Sequence, residues 1–177
     1  MNPRIAFLLL TGLSWLSSAA QPAPTEAAIS EAKERVSNID SHLKQWNRSR
    51  IMLQTGTDRG GELTIYRRGS DVVRIDAVIG GSHSDLHDVF YYSGKKLVFV
   101  KSKTVSFPYS SRLNAFDFAA PQVKAADDYY VRDGKLIPLG RAKIPPSIES
   151  RLLQESDLFV TAVRHGRRVV DIERLLK

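Results

Sequence analysis

The densest grouping of side chains able to do chemistry is His83-Ser84-Asp85-Leu86-His87-Asp88. Imidazoles and carboxylates are the donor types that hold Zn2+, or that pair as a general base with the group that orients it. Spacing limits what they can do here. Residues four apart on a strand share a face but lie ~13 Å from one another. A metal held by His83, His87 and Asp85 therefore requires the preceding Gly80-Gly81-Ser82 connection to curl back. The other histidines are isolated. His42 falls beside an apolar helical stripe, and His165 falls at a helix end, where a cation complements the dipole. Asp127 and Asp128 are strand neighbours that point to opposite faces, so they form no acid/base couple. The chain has no Gly-x-Ser-x-Gly elbow, no His-Glu-x-x-His, no phosphate-binding glycine loop and no dinucleotide fingerprint. A small hydrolase or metal-dependent enzyme using the His83/His87 segment, Asp85 and Asp88 is thus the alternative reading, and no cofactor is expected.

A second set of residues suits binding. Tyr66, Arg68, Arg74 and Tyr91 fall on predicted strands, and tyrosine and arginine supply contact area and hydrogen bonds together. The chain of 177 residues carries a formal charge of +7. The excess is uneven: Lys44, Arg48, Arg50, Arg59, Arg67 and Arg68 face only Asp58 and Glu62 over that stretch, and Arg167-Arg168 is a second concentration. Such a charge draws a protein to anionic surfaces. Nucleic acid is not the expected partner, because no recognised module or aromatic-plus-basic signature is present.

The first residues point to a compartment. Arg4, the apolar run Ile5–Leu16 and the small residues Ser18-Ala19-Ala20 have the three parts of a secretory signal, with cleavage expected near Ala20. The apolar run is too short to span a bilayer, and no later segment is apolar for long enough, so no transmembrane segment is expected in the mature chain. The expected location is periplasmic or secreted. With no cysteine, the chain has neither disulfides nor thiolate chemistry and must be held by its core.

Several elements must position these residues. Gln21–Pro24 reads as a tether, and Thr25 as the cap of a helix reaching Asn47. Its apolar residues Ile29, Ala32, Val36, Ile39, Leu43 and Trp46 recur every three or four residues, which is one helical stripe. Packing across the protein's own sheet is expected; docking of that stripe on a partner, as in an envelope assembly factor, is the other reading. A run of strands follows over 50–140. Gly61–Arg68 alternates and turns at Gly69-Ser70. Val72–Ile79 returns with Val73, Ile75, Ala77 and Ile79 on one side, and Asp85–Tyr92 and Lys96–Phe107 turn at Ser93-Gly94-Lys95. Ala126–Arg132 and Lys135–Leu139 are joined by Asp133-Gly134, a strong hairpin signal. Strands joined by tight turns pair antiparallel. The long connection Phe107–Val123 carries Phe116 and Phe118 and is expected to be pinned onto the core. After Pro145-Pro146, Ser147 is expected to cap a helix with Ile148, Leu152, Phe159 and Val163, ending at Gly166, and Val169–Leu176 is expected to form a last short helix. A hairpin of Leu158–Arg164 with Arg168–Ile172 competes with that reading.

Tyr91-Tyr92-Ser93-Gly94-Lys95-Lys96-Leu97-Val98 and Tyr129-Tyr130-Val131-Arg132-Asp133-Gly134-Lys135-Leu136-Ile137 share an aromatic pair, turn glycine, lysine and two aliphatics. With the leader and long helix, this plan resembles small exported bacterial β-meander proteins of no assigned activity. The resemblance covers Gly61–Leu139 and brings no catalytic residues. The expected architecture is α+β: residues 25–177 form one domain, an antiparallel meander of about five to seven strands with the N-terminal helix and a C-terminal helical region (147–177) packed on one face. The other face is expected to meet an anionic envelope component or a protein partner.

Overall fold

The computed structural model describes residues 26–140, 143–173 and 176; the expected leader, tether and Thr25 cap lie outside them. Helix α1 spans Glu26–His42 and is followed by a single 3-10 turn, Leu43–Gln45, rather than running on to Asn47. The helix stops where side chains compete for its backbone. Ser41 Oγ donates to the Asn38 carbonyl at 2.9 Å, and His42 Nδ1 lies 2.8 Å from the same oxygen.

The strands follow as β1 (Asn47–Gln54), β2 (Gly61–Arg68), β3 (Asp71–Gly80), β4 (Ser84–Ser93) and β5 (Lys96–Ser106). Two short strands, β6 (Tyr109–Ser110) and β7 (Ala115–Phe116), form their own ribbon, and β8 (Gln122–Arg132) and β9 (Lys135–Pro138) complete the meander. Helix α2 (Pro146–Arg164) and strand β10 (Val169–Asp171) end the fold. The main sheet has eight strands in the order β10-β1-β2-β3-β4-β5-β8-β9, antiparallel throughout except where β10 lies parallel to β1. The fold is α+β, with one helix near each end of the chain and a mostly antiparallel sheet. Asp133 and Gly134 both take positive φ (50° and 72°), as the tight β8–β9 turn requires.

The two helices cover opposite faces, not one. Leu63, Ile65, Ile75, Phe90 and Val100 face α2 and pack with Leu152, Phe159 and Ala162; the Phe90 and Phe159 rings meet edge-on at 5.7 Å. Val73, Tyr91 and Phe99 face α1 and pack with Ala32, Val36 and Ile39. Leu43 and Trp46 are partly buried against the same cluster, and Ile29 is half-buried.

Two register breaks add to the second apolar face. Tyr66 pairs with Arg74 but Arg67 pairs with Val72, so Val73 is an extra residue. Tyr91 pairs with Phe99 but Tyr92 pairs with Leu97, so Val98 is another. A bulge reverses the side-chain phase. Val73 thereby turns to α1, away from Ile75, Ala77 and Ile79, with which strict alternation would place it.

The C-terminal region also departs from expectation. Pro146, not a residue after Ser147, opens α2, with Pro145 at the cap position; proline suits the first turn because its missing N–H has no partner there. The helix ends as expected at His165-Gly166. Gly166 has φ 62°, its N–H donates to the Val163 carbonyl, and the Arg167 N–H donates to Ala162. Beyond it neither a helix nor a hairpin forms at Val169. The outer edge of β1 is open, and the β-branched Val169-Val170 pair there instead. Met52 N donates to the Arg168 carbonyl at 3.1 Å, Ile172 N donates to Gln54 at 2.9 Å, and Val170 and Ile172 are buried. Among the described residues no helix is long and apolar enough to cross a membrane.

Burial of the α1 stripe gives a direct test. Val36→Ala is expected to lower unfolding free energy by about 1–3 kcal/mol, through lost burial and the cavity left behind. Urea denaturation followed by circular dichroism measures it; an unchanged midpoint would mean that α1 is not part of the core.

Candidate functional site

The sheet surface under α1 carries the residues expected to bind, and the helix closes over most of them. Arg74 and Tyr91 sit side by side on β3 and β4, as cross-strand partners. Tyr91 is fully buried and its hydroxyl donates to the Asp40 carboxylate of α1 at 3.0 Å. Arg74 Nη1 reaches the same carboxylate at 2.7 Å, Lys101 Nζ reaches it at 3.0 Å, and Arg74 also forks onto Asp76 through Nε and Nη2. The guanidinium lies 5.5 Å from the Tyr66 ring centre and 5.4 Å from that of Tyr91. Burial opposes the Arg74 charge, but the Asp76 hydrogen bond and the neighbouring carboxylates outweigh it and hold the group more firmly protonated than usual. Burial pushes the Tyr91 hydroxyl well above its ordinary value, so it stays a neutral donor. Two carboxylates and two cations thus cancel, and the cluster ties α1 to the sheet. Of the four expected binding residues, Tyr66 is half-buried and only Arg68, at the end of β2, is exposed.

The histidine segment is also internally engaged. Asp85 is buried and accepts from Arg59 Nη1 at 2.7 Å. His87 shares that face, with Nε2 3.9 Å from Asp85 Oδ2, while His83 rests on the Phe116 ring at 5.7 Å. Burial and nearby Lys103 lower the His87 pKa, which favours the neutral imidazole at pH 7. Among the described residues no three histidine or carboxylate side chains gather closely enough to hold a metal ion. Arg59 reaches Asp85 because Gly80 has no side chain: a Cβ there would lie 2.7 Å from Arg59 Cβ. Its guanidinium then sits over Phe107 (4.9 Å) and Phe118 (4.4 Å).

Sequence reasoning missed a third cluster. Asp88 on β4 and Glu155 on α2 are both buried, and Arg151 Nη1 serves both, at 2.6 Å to Asp88 Oδ2 and 2.8 Å to Glu155 Oε1. One guanidinium faces two carboxylates, and Asp88 Oδ1 is buried without a hydrogen-bond partner among the described residues. Burial pushes the Glu155 carboxyl up to about 7, opposed by Arg151 and assisted by Asp88. The readable signal was Glu155 within the Leu152–Phe159 stripe of α2, one turn after Arg151. For the Asp40 cluster it was Asp40 beside Ile39 in the stripe of α1.

The chain matches no protein-family model, no curated protein and no solved structure. The site therefore has to be read from its own chemistry. Its carboxylates are matched by arginines across layer boundaries, an arrangement that fixes helices and loops to a sheet. A small cleft of about 80 Å3 lies beside α1, lined by Arg68 with Arg35, Asn38 and Trp46; larger ones run along α2. One cleft of about 590 Å3 runs between Leu153, Ser156 and Asp157 of α2 and the turns at Lys95-Lys96 and Asp133-Gly134. At an adjoining cleft, the buried Tyr92 hydroxyl lies 3.0 Å from Ser156 Oγ.

Two outcomes follow. The folded chain holds the Glu155 proton above the ordinary carboxyl value of 4.5, so it binds that proton more tightly than the unfolded chain does. The stability this confers is present at low pH and is lost as pH rises from about 4.5 to about 7. Glu155→Gln is expected to flatten that slope and to raise stability at pH 8 by about 1–3 kcal/mol relative to the parent; urea titrations between pH 5 and pH 8 read it. Asp40→Ala leaves Arg74, Lys101 and the Tyr91 hydroxyl without their shared acceptor. It is expected to cost about 1–3 kcal/mol, and Asp40→Asn less, by thermal denaturation.

Proposed function

We propose that the protein is an exported, non-catalytic binding module for an anionic component of the cell envelope. The observation that carries this reading is the division of charge. The acids Asp40, Asp76, Asp85, Asp88 and Glu155 are each matched to a cation of the fold. By contrast, Arg68, Arg112, Lys124, Arg167 and Arg168 are exposed and make no ion pair among the described residues. Charge held in this way stabilises layers and leaves a cationic exterior, which attracts anions over a range set by salt.

The enzyme reading draws no support from the geometry of the histidine segment. Asp85 is committed to Arg59, and His83 and His87 have different neighbours. The assembly-factor reading places a partner on the stripe of α1, but Ala32, Val36 and Ile39 are buried against the sheet. That leaves the solvent face of the helix, which is polar.

The purified protein is expected to bind envelope preparations rich in lipopolysaccharide or anionic polymer at low salt, and to lose most of that binding between about 50 and 500 mM salt as the Debye length contracts. Cosedimentation measures it. Retention that ignores salt, or stoichiometric metal in the purified protein with loss of function in His87→Ala, would replace this reading with another.

A further inference from the structure

The connection between β5 and β8 differs from the rest of the surface. Phe107 is buried, but Phe116 and Phe118, expected to be pinned onto the core, remain partly in solvent. Tyr109 is 58% exposed, Leu113 52%, Phe116 36% and Phe118 49%, and Val123 just beyond is 60% exposed. Large apolar side chains concentrated on one short segment of surface mark a site of interaction.

The segment is ordered by its own contacts. The Phe118 ring meets Phe107 at 4.9 Å with the Arg59 guanidinium over it, and the Phe116 ring meets Tyr109 at 5.8 Å and His83 at 5.7 Å. The Tyr109 hydroxyl donates to Asn114 Oδ1 at 2.5 Å, and the β6–β7 ribbon closes with Asp117 N donating to the Pro108 carbonyl at 2.8 Å. The Tyr109, Phe116 and Phe118 rings are therefore held by their neighbours and still present a third to a half or more of their surface to water. Side chains already held in place lose little freedom when they meet a second surface.

The charge around them selects that surface. Arg112 sits at the ribbon turn beside Leu113, and Lys124 follows Val123; both are exposed. The one acid between Phe107 and Ala126 is Asp117, whose Oδ1 accepts the Ala119 N–H at 3.0 Å. Aromatic and aliphatic side chains interleaved with cations are what an interfacial site on an anionic bilayer needs: rings enter the headgroup layer while the cations stay with the phosphates.

We propose that the β6–β7 tip, with Tyr109, Leu113, Phe116 and Phe118 as the inserting side chains and Arg112 and Lys124 as the headgroup contacts, docks the protein on an anionic lipid surface. This rests on the reading of the protein as a module for an anionic envelope component, and it names that component as the bilayer itself. Leu113 and Arg112 are the informative positions, because both are exposed and, among the described residues, no ring contact or hydrogen bond of the side chain depends on them.

The test is cosedimentation with vesicles of phosphatidylcholine alone and of equal parts phosphatidylcholine and phosphatidylglycerol. The protein is expected to bind the anionic vesicles and to release them at high salt. Leu113→Glu is expected to weaken binding at least ~10-fold, the scale of losing one buried aliphatic side chain. Arg112→Glu is expected to weaken it about as much, by replacing a headgroup attraction with a repulsion, with melting temperature unchanged for both. Lys33→Glu on α1 makes the same charge change away from the tip and is expected to weaken binding less than ~2-fold. Equal losses for Arg112→Glu and Lys33→Glu would overturn the tip and leave a diffuse cationic attraction. Absence from both vesicles and from lipopolysaccharide, with salt-sensitive retention on a lipid-free anionic polymer, would overturn the lipid surface while the binding-module reading stands. Absence from all of these would remove both. A dimer in sedimentation that Leu113→Glu converts to monomer, without vesicle binding, would assign the tip to a second copy of the chain instead.

Discussion

Burial on both faces of one sheet is the constraint on which the architecture depends. A meander with a single apolar face would be satisfied by a single layer of helix. Here Phe90, Tyr91 and Tyr92 are consecutive and all buried, so β4 has no face that water can occupy at that point. The two bulges at Val73 and Val98 complete the pattern by turning additional aliphatic side chains toward α1. Each helix then has its own cluster to cover, and neither can replace the other. The hydrophobic term supplies the driving force but not the angular position of a helix on a sheet. That position is set by the polar ties at Asp40–Arg74 on one side and Asp88–Arg151–Glu155 on the other.

These two ties are built differently. On the α1 side two cations meet two carboxylates, and the group remains partly wet. On the α2 side one arginine meets two carboxylates that water does not reach, and one oxygen has no donor among the described residues. An uncompensated buried charge is expensive, so the second group holds a proton that a solvated carboxylate would release. The α2–sheet contact is accordingly the part of the fold whose strength depends most on acidity.

Much of this was legible in the chain. Alternation and glycine turns located β2 to β5 and the β8–β9 hairpin within one or two residues, except that β8 begins earlier than its alternation suggests. The stripe of α1 and the glycine end of α2 were readable for the same reason: both depend on near neighbours. What could not be read depends on distant ones. Val73 looks like a member of the Ile75–Ile79 face until its partner strand is known, because a bulge leaves no local mark. Val169-Val170 becomes a strand only because β1 offers an edge. Tyr91 and Arg74 have the composition of a binding surface, and only the placement of Asp40 shows them to be interior. Conversely, Phe116 and Phe118 have the composition of a core and lie half in solvent.

The parallel pairing of β10 with β1 has a temporal meaning. The first strand of the sheet receives its outer neighbour from the very end of the fold, so its edge stays open while every intervening element is made. Contacts between such remote parts of a chain are entropically slow to form. A chain that emerges from its N-terminus can assemble the meander progressively, yet it acquires Val170 and Ile172 beneath that edge only after β10 has been made. The seam between β1 and β10 is thus a completion lock: its closure reports that every element from β1 to β10 has been made.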